Sequence, residues 1–159
     1  MASPLLERAK IQAQVLVPVL RAFREAVGTE RANEIAWKAL ADWRKQVTRE
    51  IHAGFTGTPI ERWRAGVTAG MPEIGDAVDV QMLTASAEKV ELDITGCRFA
   101  EFFRALGEPE LGFALLCSMD VTAADEVGQG EVDFTRTTTI MQGGTRCDFR
   151  YALKKSGAL

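Results

Sequence analysis

The sequence predicts an α+β fold: two long N-terminal helices, then β-β-α-α-β-β with an antiparallel sheet packed against helices. Two observations predict it. Apolar residues recur at helical spacing through the first 54 positions. After Gly75 the apolar period drops to two, and it returns to helical spacing only between Cys97 and about Val127. With 159 residues the chain suits one domain, in which 1–54 form a helical half and 76–155 a pocket-forming half.

Taken in order, Leu5, Leu6, Ile11, Val15, Leu16, Val19, Leu20, Phe23 and Val27 mark a first helix from Pro4 to about Val27. Ser3 reads as its cap and Pro4 as a first-turn proline, whereas Pro18 is expected to kink it and Gly28 to end it. A second helix, Glu30 to Ala53, would bury Ile35, Ala36, Ala39, Leu40, Trp43, Val47 and Ile51. Two such helices carry more apolar surface than a small sheet covers, so a homodimer through this half is expected. The stretch from Gly54 to Gly75, rich in Gly, Thr and Pro, reads as a long connection or lid with one short helical piece around Trp63. Trp37, Trp43 and Trp63 read as core or interface anchors.

Val78, Val80 and Met82, then Val90, Leu92 and Ile94, alternate on either side of an Ala85–Glu88 turn, which is a hairpin signal. Helical spacing follows from Cys97 to Gly107 and again from Pro109 to about Val127. Two strands, near Glu131–Met141 and Arg146–Leu153, close the chain around Gln142-Gly143-Gly144-Thr145.

The formal charge is −3, so no basic field exists to hold phosphate backbones, and nucleic acid is not an expected partner. No stretch approaches the roughly 20 apolar residues of a membrane span. The start, MASPLLERAK, lacks the apolar run of a signal peptide. A cytoplasmic protein with free thiols and a small-molecule substrate is therefore expected. P-loop, dinucleotide, G-x-S-x-G and HExxH signatures are missing, so no cofactor is expected.

Cys97, Cys117, Asp120 and Cys147 are the candidate catalytic groups. Cys97 falls at a helix start, where free amides favour a thiolate. Cys117 and Asp120 lie three apart on one helix and share a face. The surrounding run is strongly apolar, so the Asp120 carboxylate requires a partner. Cys147 begins the last strand after the Gly-Gly turn. A free cysteine is also a good core filler, and the solvated-edge reading of Asp120 stands beside the functional one. The Cys–Cys separations of 20 and 30 residues match no zinc-ribbon spacing, and the only histidine, His52, sits near a helix end, so metal is not favoured. Arg146 and Arg150, with Arg136, suit a solvated strand face or a clamp on a substrate carboxylate. Gly143 and Gly144 suit a turn, or amides that hold an anion.

The runs ITGCRFAEFF (94–103), LGEPELG (106–112) and LCSMD (116–120), and above all RTTTIMQGGTRCDFRY (136–151), resemble the L-2-amino-thiazoline-4-carboxylic acid hydrolase family. The resemblance spans roughly Val78 to Leu153, about half the chain. It implies hydrolysis of a small cyclic amidine or thioimidate, opening 2-aminothiazoline-4-carboxylate to N-carbamoyl-cysteine. It also implies Cys97, Cys117, Asp120 and Cys147 as the polar signature. By residue type, a thiolate, with Cys147 or Cys117 favoured as nucleophile, would attack C2 of the ring while Asp120 moves protons, or Asp120 would activate water directly. One departure stands out: Gln142 occupies a place before glycine where the family pattern leads one to expect an acidic residue. The element order also resembles the ligand-binding domain of the 4-vinyl reductase and vesicle-transport-subunit type, which allows a sensor without chemistry. Two thiols with an aspartate also match the residue types of organomercurial lyases.

Overall fold

The computed structural model describes residues 2–128 and 130–154. Helix α1 (Pro4–Val27) begins at Ser3, whose hydroxyl accepts the Leu6 N–H, with Pro4 where a missing N–H costs no hydrogen bond. Pro18 lies inside α1 without ending it. Gly28, at φ 87°, closes α1 by donating its N–H to Arg24, and α2 (Thr29–His52) starts at the next residue.

The stretch expected as a connection or lid is mostly helix instead. α3 (Pro59–Ile74) opens on a full capping box, Thr58 with Glu61, and buries Ile60 and Trp63 completely or nearly so. Its glycines made it look like a loop. Gly66 is there for packing, because a Cβ at that position would collide with the His52 ring.

Strands β1 (Val78–Ala85), β2 (Lys89–Cys97), β3 (Val132–Thr135) and β4 (Cys147–Leu153) form an antiparallel sheet of order β1-β2-β4-β3. The β2–β4 register pairs Val90 with Tyr151, Leu92 with Phe149 and Ile94 with Cys147. These residues therefore share the face that packs on Ile60 and Trp63. The alternate positions, Asp93 opposite Asp148 and Glu91 opposite Arg150, make the other face polar.

The sequence predicts one strand over 131–141, but β3 stops at Thr135. The next free amides, those of Thr137 and Thr138, donate to the Asp148 carboxylate rather than to a neighbouring strand. The chain then makes a 3-10 turn (Ile140–Gln142) capped by the Thr139 hydroxyl and closed by Gly143 at φ 96°.

Between β2 and β3 run α4 (Arg98–Ala105), α5 (Pro109–Gly112), a π turn (Phe113–Cys117) and α6 (Ser118–Gly128). The π turn interrupts what reads as one helix, and side chains collect its carbonyls. Ser118 Oγ donates to Ala114 O at 2.6 Å, Arg44 Nη2 to Leu115 O at 2.6 Å, and Arg136 Nη2 to Cys117 O at 3.0 Å. Two apolar clusters result. One joins α1 to Phe99, Phe103, Leu111, Leu115 and Met141; the other joins α3 to the sheet. Cys97, Val78 and Ile140 pack against both.

Candidate functional site

Cys147 opens β4 opposite Ile94, and Cys97 closes β2 three residues later, so the two thiols lie at the same end of neighbouring strands. Cys97 caps α4, its Sγ accepting the Ala100 N–H at 3.4 Å. The Cys147 Sγ accepts the Ile140 N–H at 3.2 Å and is buried. Cys117 ends the π turn, and Asp120 lies in the first turn of α6. Cys117 lies within electrostatic reach of Asp120, Cys97 and Cys147, and Cys147 within reach of Asp120. The structure thus brings all four expected residues to one place.

Their organising partner is Arg136. Its Nη1 donates to Asp120 Oδ2 at 2.7 Å and its Nη2 to Cys117 O at 3.0 Å, with the side chain only 5% exposed. The guanidinium stacks within 5.5 Å of the Phe113 ring centre, 5.8 Å of Phe134 and 5.2 Å of Phe149. A signal for it existed in the sequence, since Asp120 in an apolar run demands a cation. The sequence offered three arginines and no means to choose among them.

Protonation follows burial. Burial pushes the Asp120 carboxyl up to about 6, against the opposing pull of the Arg136 charge and hydrogen bond. Burial also raises the Cys117 thiol, with the Asp120 charge adding to it. Cys147 is raised by burial despite the Ile140 amide and Arg136. Cys97, expected to be lowered at its helix start, is raised too: burial outweighs the amides of Ala100 and Phe99. The Tyr151 hydroxyl nearby, whose ring lies 4.1 Å from Trp63, is driven well above its usual range by burial.

Two of the remaining expected residues, Arg146 and Arg150, lie on the opposite, polar face of the sheet, where both pair with Asp93, at 3.3 and 2.9 Å. Gly143 provides the positive φ that ends the 3-10 turn, and Gly144 lets the backbone approach Thr138 and Thr139. Among the described residues, no group of three His, Cys, Asp or Glu side chains is placed to hold a metal ion, and no helix is long and apolar enough to cross a membrane. A half-open cleft of about 550 Å³, walled by Trp37, Ala41, Phe113, Ala114, Ser118 and Gln142, adjoins the site through Phe113.

A family model described as L-2-amino-thiazoline-4-carboxylic acid hydrolase matches residues 8–151. No curated protein matches the chain. Among solved structures, the phenol-responsive sensory domain of the transcription activator PoxR with phenol is similar at 13% identity and a TM-score of 0.45. That alignment covers 87% of this chain and 72% of the other.

Proposed function

Because the chain belongs to the L-2-amino-thiazoline-4-carboxylic acid hydrolase family, we propose that it hydrolyses a small cyclic amidine or thioimidate, with Asp120 moving the proton. The observation that carries this reading is a carboxylate poised near pH 6, paired to a buried arginine and within reach of the Cys117 and Cys147 thiols. A general base works best with a pKa near the operating pH. The thiols, all raised, are protonated at neutral pH, so water is the attacking group.

In 2-aminothiazoline-4-carboxylate, Asp120 takes a proton from water as its oxygen bonds to C2. The C2=N π bond breaks as the water oxygen adds. The C2–S bond then breaks as the carbonyl forms, the proton held by Asp120 passes to the ring sulfur, and the remaining hydroxyl proton passes to the ring nitrogen. Ring and water together make N-carbamoyl-cysteine, with no further reactant. Arg136 holds the Asp120 carboxylate through its Nη1 hydrogen bond, and the surrounding burial strengthens the interaction between the two charges.

The test is NMR observation of ring opening by the purified full chain. Asp120→Asn is expected to lower turnover by about 10²–10⁴-fold; turnover equal to wild type sinks the assignment. The cleft beside Phe113 favours a second reading, ligand binding without chemistry. A co-purifying molecule recovered unchanged after long incubation would support that reading over hydrolysis.

A further inference from the structure

We propose that Asp148 is a positioning residue for the Asp120–Arg136 pair, through a clamp on the backbone that carries Arg136. This rests on the reading of Asp120 as the proton-moving group.

Arg136 follows the last residue of β3, Thr135, which the ladder pairs with Arg150. Immediately after it, Asp148 Oδ1 accepts both the Thr137 and the Thr138 N–H at 2.8 Å, and Oδ2 accepts the Thr137 hydroxyl at 2.5 Å. Asp148 is 8% exposed. Its strand neighbours Arg146 and Arg150 are engaged by Asp93, which faces Asp148 across β2 and β4. Next to it, the Cys147 Sγ takes the Ile140 N–H. Arg136 is thus anchored by the sheet on one side and by two stitches on the other. An arginine side chain has many rotamers to lose, and fixing its root makes the reach to Asp120 reproducible. Burial works to raise the Asp148 carboxyl, but the Thr137 hydroxyl and the amides of Thr138, Thr137 and Asp148 itself hold it below its usual range. The clamp therefore stays ionised wherever Asp120 is active.

Without the clamp, Asp120 loses part of its cation while the burial that raises it remains. Carboxyl ¹³C NMR on the substrate-free full chain reads this directly. Asp148→Ala is expected to move the Asp120 titration upward by about one pH unit, roughly a tenfold weaker acid, and the acid limb of kcat/KM with it. Asp148→Asn, whose amide oxygen still accepts the two N–H groups, stays close to wild type. In an Arg136→Met background, Asp148→Ala adds no further shift. A folded Asp148→Ala protein with the Asp120 titration unmoved overturns the proposal, as does an equal shift in the Arg136→Met background. Should Asp148→Ala not fold, Thr137→Val removes one donor and is expected to shift Asp120 upward by less; no shift there also overturns it. Since the titration uses no substrate, failure to hydrolyse any ring would defeat the proposed function and leave this result standing.

Discussion

Asp120 is ionised at a cost, because burial opposes the charge while Arg136 favours it. Its folded pKa is raised, so the base form is present above about pH 6 and lost below it. The kcat/KM profile should therefore rise through an apparent pKa near 6, well above that of an ordinary aspartate. Arg136→Met should carry that limb to higher pH, because the raising influence of burial remains and the lowering one is gone. A profile flat from pH 5 to 8, in conditions where the fold persists, would remove Asp120 from the reaction. At this scale the sequence was informative about need and silent about pairing. That Asp120 wanted a partner was legible from Leu115, Leu116, Met119 and Val121 around it. Which arginine answered depended on strand parity: Arg146 and Arg150 point with Asp93 to the polar face. Cys97 shows the opposite case, where a sound local rule about helix starts loses to burial.

The elements were legible wherever periodicity alone set them. α1, α2 and the β1–β2 hairpin fall within a residue or so of the expected bounds. The buried face of α2 is not the expected one, however: Ile35, Ala39, Trp43 and Ile51 are exposed, and Ala32, Arg44 and Thr48 are buried. α3 was hidden because Gly66 and Gly70 imitate loop composition, although Gly66 serves close packing against the His52 ring. β3 was overextended because nothing local announces that Asp148, eleven residues beyond Thr137, will take its amides. Since Ile60 is fully buried, Ile60→Ala should cost about 2–5 kcal/mol in urea unfolding. An α3 that acted as a lid would lose far less. Thr58→Ala, which removes half the capping box, should cost about 1 kcal/mol by the same measurement.

Over the whole molecule, the long helices and the sheet half are tied by more than apolar contact. Glu108, buried at the α4–α5 corner, accepts Arg21 Nε at 2.9 Å and Arg24 Nη1 at 2.8 Å from α1. Glu108→Ala leaves the largely buried Arg24 without its main partner and should cost about 3–5 kcal/mol. Trp fluorescence and far-ultraviolet circular dichroism should still report a single coincident transition. Two separated transitions would mean that the helical layer and the sheet unfold independently. The order of elements was legible, but not the way Ile140 and Cys97 join the two clusters, because that joining depends on contacts far apart in the chain. The π turn adds a constraint on the length of the polypeptide itself. Removing one residue between Phe113 and Cys117 would let an ordinary α-helix form, and everything beyond would swing by about 100° around the axis. Asp120 would then face away from Arg136. This stretch is thus a reading frame for the site, open to exchange of side chains but closed to any change in their number.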